Sequence, residues 1–217
     1  ASKELEIVLT GKDAGAEERV PMCGIPFHSA TNYLDTLTSK GYKVAIVEQV
    51  EDPKEAKGIV KREVVRIITP GTVIDEVSLS SNDNNYLLSV SSEKERFIVS
   101  YLDLSTGEGF LTNIPLDESL LYAEIIKLKA REIIVSPEFN KSVFNNLKTV
   151  YAFTISEETN EEAASYFKGL MVNLDKEEER NYCRLLNYII RTQMRTLVHL
   201  QKVNKYDIKF RRVLFRS

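Results

Sequence analysis

From Tyr86 to Thr112 apolar residues arrive in three strand-length runs, and everything after them alternates helix with strand. That order restricts the fold more than any other feature of the 217-residue chain. The runs are Tyr86–Val90, Phe97–Leu102 and Gly109–Thr112, rich in the aliphatic and aromatic residues that fit a pleated, half-buried surface. Ser105-Thr106-Gly107 supplies a hairpin turn between the second and third. A helix is expected from Asp117 to about Lys129, with Leu120, Leu121, Ile125, Ile126 and Leu128 as its apolar set. A strand over Ile133–Val135, a helix through Phe139 to Leu147 and a strand over Thr149–Phe153 follow. Asn160 is expected to cap a further helix. A long helix then runs from Glu177 to about His199, carrying Leu185, Leu186, Ile189, Ile190 and Leu197 at helical spacing.

Three antiparallel strands followed by alternating helix and strand is the order of a ribonuclease-H-like α/β fold. The residues before it read as a separate mixed α/β unit. Leu5–Leu9 is a short strand candidate and Gly11–Arg19 a loop. Pro21, Gly24 and Pro26 punctuate the next stretch and forbid regular structure there. Ser29 or Thr31 can cap a helix to Lys40 with Tyr33, Leu34 and Leu37 on one face, and Gly41 suits its C-terminal end. Val44–Val50 is expected to be a buried strand, Asp52-Pro53 to start a short helix, and Val64–Thr69 to form a strand stopped by Pro70-Gly71. The polar stretch 73–83 reads as a linker between a first domain, 1–72, and a second, 84–203.

Composition narrows the function classes. A hydrophobic content of 43% and a charged content of 28% describe an ordinary globular protein. No apolar run approaches the roughly 18–20 residues of a membrane helix, so no membrane role is expected. Cys23 and Cys183 lie far apart without metal-ligand spacing and read as reduced thiols of a cytoplasmic protein. The net charge of −3 argues mildly against a strongly basic nucleic-acid module.

Charge is distributed unevenly, however. Lys54, Lys57, Lys61, Arg62 and Arg66 fall close together, opposed only by Glu55 and Glu63. Such an excess can track a phosphate backbone even in an acidic chain. The competing reading is a solvated face and a charge-protected edge strand, which the residues alone favour. Lys12 is a similar candidate. The Pro21–His28 loop is stiffened by two prolines and carries Met22, Ile25 and Phe27, as a groove- or backbone-facing element could. For Phe27, packing into the domain core is the favoured reading. Cys23 reads as a small buried hydrophobe, and His28 and His199 as ordinary helix-associated residues.

An enzyme reading has less support. A ribonuclease-H-like nuclease needs clustered carboxylates to hold two metal ions about 3.5–4 Å apart. Tyr86–Val90 contains no acid, leaving only Asp103 and Glu124 scattered further on. No phosphate-binding Gly-x-x-x-x-Gly-Lys-Ser/Thr loop is present, so neither catalysis nor a cofactor is expected of this segment itself.

Three stretches of the first domain carry a family resemblance. They are Arg-Val-Pro-Met-Cys-Gly-Ile-Pro-Phe-His from Arg19, Gly-Tyr-Lys-Val-Ala-Ile-Val-Glu-Gln-Val-Glu-Asp-Pro from Gly41, and Lys-Arg-Glu-Val-Val-Arg-Ile-Ile-Thr-Pro-Gly-Thr from Lys61. In that order they resemble the mismatch-recognition domain of the MutS family of DNA mismatch-repair proteins. The second domain resembles, less specifically, the family's ribonuclease-H-like connector. The resemblance implies a partial mismatch-recognition domain over 1–72 that lacks its leading elements, a connector over 84–203, and the start of a helical core or lever domain over 204–210. Arg211–Ser217 back-translates to a common sequencing-library adapter and is expected not to be natural protein. Lys12, Pro21, Met22, Lys61, Arg62 and Arg66 are the implied DNA contacts. The family's Phe-x-Glu wedge, which senses the mismatch, has no counterpart in the chain. The implied parent is a bacterial, nucleoid-associated homodimer with ATP and Mg in a separate ATPase domain, recruiting a MutL-type factor through the connector. A stand-alone ribonuclease-H-like nuclease or resolvase is the competing class, and a protein-interaction module a third.

Overall fold

The computed structural model describes residues 1–13, 15, 19–54, 58–72, 86–162, 164–194 and 199–208. The linker expected over 73–83 and the segment 211–217 lie outside the described residues.

The second domain is built on a six-stranded sheet. Its first three strands, β5 (Tyr86–Ser92), β6 (Arg96–Asp103) and β7 (Gly109–Pro115), form an antiparallel meander. Strands β8 (Glu132–Val135) and β9 (Thr154–Glu157) then add in parallel beside β5, and a short β10 (Asn204–Lys205) adds in parallel beside β7. The resulting order, β10-β7-β6-β5-β8-β9, contains the arrangement expected of a ribonuclease-H-like sheet. Alternation along the strands separates two cores. Leu88, Val90, Ile133 and Val135 face the side covered by α3 (Glu118–Lys127) and α4 (Asn145–Val150), while Leu87 and Ile134 face α5 (Lys176–Gln193).

Two helices of this domain begin where the sequence provides caps, whereas Ser29, expected to cap the first domain's helix, makes no side-chain cap bond. The Asp117 carboxylate accepts from the Ser119 and Leu120 amides at the start of α3. Asp175 and Glu178 form a reciprocal capping box on α5, satisfying donors that the first helical turn leaves open. Helix α5 ends at Met194 in the left-handed conformation, φ 52°, so His199 is not helical, and Leu197 lies outside the described residues.

The first domain is more open. A four-residue turn of helix, α1 (Ser2–Leu5), precedes the ribbon of β1 (Thr10–Lys12) and β2 (Val20–Met22). Helix α2 (Ala30–Ser39) leads through Gly41, φ 84°, to a second ribbon of β3 (Val44–Gln49) and β4 (Arg62–Ile68). Pairing skips Val65 between the Ile46–Arg66 and Val47–Val64 partners, a bulge that twists the ribbon.

Several expectations are corrected. Leu5–Leu9 is not a strand: α1 ends at Leu5, and Glu6 turns the chain at φ 53°. Pro21 sits inside β2 opposite Gly11, which a two-stranded ribbon tolerates because a strand there has one unpaired edge. Strand β3 is largely exposed rather than buried, for it pairs with β4 alone. Asp52 caps a turn at the Lys54 amide, and 55–57 lie outside the described residues. The helix expected through Phe139–Leu147 is a 3-10 turn, Lys141–Phe144, running into α4. Thr149 and Val150 belong to α4, so β9 starts at Thr154 rather than Thr149. Asn160 caps a turn at Glu162 rather than an α-helix. Residues 204–206 pair along the second domain's sheet edge, where the Tyr206 carbonyl accepts from Thr112 at 2.8 Å.

Candidate nucleic-acid interface

The six candidate contacts fall on the two ribbons of the first domain. On the first, Lys12 lies opposite Val20, Gly11 opposite Pro21 and Thr10 opposite Met22, so Lys12, Pro21 and Met22 share one short hairpin and all three are exposed. The Thr10 hydroxyl donates to the Met22 carbonyl at 2.9 Å and fixes that register. Val20 and Met22 are each about half exposed, an apolar pair beside the Lys12 cation.

On the second ribbon, Arg62 opens β4 and Lys61 directly precedes it. The Val50 amide donates to the Lys61 carbonyl at 3.1 Å, and the Lys61 amide to the Glu51 carboxylate at 3.0 Å. Both side chains are exposed. The Lys61 ammonium lies 2.6 Å from Glu63, whose hydrogen bond and charge raise its pKa above the ordinary lysine range. Arg66 is different. The bulge at Val65 sets it apart from Arg62; it is half-buried, and its guanidinium reaches the Thr72 carbonyl at 3.5 Å. Lys57 lies outside the described residues.

Two exposures were not legible in the sequence. Phe27 is 96% exposed, so it does not pack the core as expected; it starts a 3-10 turn directly after Pro26. Ile59 is 92% exposed at the tip of the second ribbon, beside Lys61 and Arg62. Cys23 is half-buried rather than buried. Apolar side chains standing next to cations on narrow ribbons suit a groove or backbone contact, where the cations position and the apolar groups pack.

The acids weighed for nuclease chemistry have structural partners. Asp103 is buried and accepts from the Ser105 amide and hydroxyl at 2.8 and 2.6 Å, closing the β6–β7 turn. Glu124 accepts from Tyr206 at 2.7 Å and from Lys127 at 2.9 Å. Cys183 is buried, its Sγ 3.6 Å from the Met171 Sδ, and burial pushes the thiol up to about 11.

A second feature, missed in the sequence, joins the domains. Glu132, the fully buried first residue of β8, accepts from Thr69 and Gly71 of the first domain and from Ser156 and Tyr188 of the second. Lys43 of the first domain stands 4.0 Å from the same carboxylate and 5.5 Å from the Tyr188 ring centroid. An acid at a strand start carries no sequence signal for such a role.

Comparison with known proteins gives these features a family. Residues 1–77 match the model of MutS domain I, and residues 85–201 that of MutS domain II. An open α/β unit followed by a ribonuclease-H-like domain is therefore a MutS domain I–domain II pair, and the chain belongs to the MutS family. The chain is 47% identical over 211 residues to the DNA mismatch repair protein MutS of Bacillus licheniformis, and 44% identical over 210 residues to that of Bacillus subtilis. Against that of Clostridium tetani it is 41% identical over 215 residues. Each match covers 96% of this chain but 24% of the relative, so the chain spans about a quarter of the length of these curated relatives.

Proposed function

We propose that the chain supplies the recognition and connector domains of a mismatch-repair protein, binding duplex DNA through the first domain and relaying that state through the second. The single observation that carries this reading is the ordered domain I–domain II match, sustained at 41–47% identity over 96% of the chain. Lys12, Lys61 and Arg62 hold phosphates, Pro21 and Met22 face the duplex beside them, and Arg66 braces the end of its ribbon. The whole protein acts as a homodimer on mismatches and small loops in the nucleoid. ATP and Mg belong to its ATPase domain, and a MutL-type factor docks on the connector.

Mismatch preference in this reading needs a wedge that prises apart an already weakened base step. No Phe-x-Glu occurs in the 217 residues, so the chain by itself binds duplex without mismatch preference, chiefly through phosphates. The test is fluorescence anisotropy of the chain with matched and G·T-mismatched duplexes at several salt concentrations. Weak binding to both, falling steeply with salt, is expected. Discrimination of about tenfold or more, a difference of ~1.4 kcal/mol, would overturn the wedge argument.

A further inference from the structure

A cleft of about 510 Å³ opens where the two domains meet. Lys40 and Pro70 line it from the first domain, and Arg131, Lys148, Tyr151 and Phe153 from the second. Among the described residues no carboxylate lines it. Lys40 is held by Glu4 at 3.0 Å. Arg131 and Lys148 are exposed, and neither has a side-chain hydrogen bond or ion pair among the described residues. Lys40 and Lys148 sit at helix C-termini, where a cation is favoured in any case. That explanation does not reach Arg131, which lies between α3 and β8 with its carbonyl accepting from the Thr154 amide at 2.9 Å.

The aromatic wall is ordered. The Tyr151 and Phe153 rings stack with centroids 6.3 Å apart and planes 27° apart. Burial raises the Tyr151 pKa against the pull of Arg131 and Lys129, so both cations are felt at its hydroxyl. The volume falls within the range of about 300–1,000 Å³ typical of small-molecule sites.

We propose that this interdomain cleft binds a nucleotide, its phosphate held by Arg131 and Lys148 and its base laid against Tyr151. A guanidinium fork and an ammonium suit a phosphate, and an aromatic face accepts any base. The occupant would touch both domains within one residue of Glu132 and so bear on their relative placement. The site is separate from the ribbons that carry the DNA reading.

Binding of deoxyadenosine monophosphate to the chain, measured by equilibrium dialysis beside deoxyadenosine and inorganic phosphate, tests it. A Kd below roughly 1 mM is expected for the nucleotide, with each half alone at least about tenfold weaker. R131Q/K148Q should weaken binding about tenfold with the melting temperature unchanged, and Y151L should weaken binding about tenfold. Saturable binding unaffected by R131Q/K148Q, or no binding at ~10 mM, overturns the proposal. A 5′-phosphorylated single strand that displaces the nucleotide identifies a strand end as the source, and failure to displace identifies a free nucleotide. K61Q/R62Q should weaken duplex binding but retain the nucleotide, so the two readings fail separately.

Discussion

The Thr69 hydroxyl donates to the buried Glu132 carboxylate at 2.5 Å, joining residues sixty-three positions apart in two different domains. The Gly71 amide reaches the same oxygen at 3.0 Å, and the Tyr188 hydroxyl reaches the other at 2.6 Å. One side chain thus gathers the exit of β4, the start of β8 and the middle of α5.

E132A removes the acceptor of four donors, three of them hydroxyls and one a backbone amide. Leaving several buried donors unsatisfied should cost about 3 kcal/mol or more in urea unfolding, and the glutamine isostere less. A loss below about 0.5 kcal/mol would show that the junction does not depend on this carboxylate.

Gly71 is required at that junction by space. A Cβ there would lie 2.5 Å from the Leu87 Cδ1 and 2.9 Å from the Glu132 Cβ, both in fully buried side chains. G71A should destabilise by about 1–3 kcal/mol. G169A, where nothing lies within 4 Å, should be neutral or slightly stabilising. Equal effects in thermal melts would contradict the packing argument.

Salt dependence separates phosphate contacts from bracing. K61Q/R62Q should reduce the slope of log K against log salt by about two units, without changing stability by more than ~0.5 kcal/mol. R66Q should instead lower stability, because Arg66 is half-buried against Thr72. F27A should leave stability within ~0.5 kcal/mol, since the ring is 96% exposed, while weakening duplex binding. A large loss of stability in F27A would mean the ring has a packing partner.

Acid should unfold the second domain through the α5 cap. Burial alone would raise the Glu178 pKa, but hydrogen bonds from Asn113, Lys205 and the Asp175 amide hold it below its ordinary value of 4.5. Asp175 is likewise held low by Arg96 and the Glu178 amide despite burial. Their folded values lie below the unfolded ones. Their stabilisation is therefore complete above about pH 5 and is lost as pH falls through the folded values. E178Q should make the unfolding free energy less steep in acid by up to about 1.4 kcal/mol per pH unit. An unchanged acid slope would mean that Glu178 titrates alike in both states.

Strand type was easier to read than strand environment. The β5–β6–β7 meander and β8 follow from apolar runs and a Ser-Thr-Gly turn, because local propensity and tertiary burial point the same way there. Val44–Val50 shows the limit: β-branched residues announce a strand, but only the sheet's partners decide whether it is buried, and β3 has one partner. Proline in general breaks ladders, yet a two-stranded ribbon lets the missing N–H of Pro21 face outward. The basic cluster was visible as charge, but the bulge that sets Arg66 apart from Arg62 is a matter of pairing register. Glu132 gave no signal, since its four partners come from positions 69, 71, 156 and 188.

The pairing of β10 with β7 has a consequence for how the chain is made. The outer edge of β7 is complete only when Asn204 and Lys205 arrive, and the Thr112–Tyr206 bond spans 94 positions. At about 5–20 residues per second, a ribosome leaves that edge open for roughly 5–20 seconds after β7 emerges. An open edge templates pairing with any nearby strand. Neighbouring nascent chains on one polysome are therefore the first competitors for the place that β10 eventually fills.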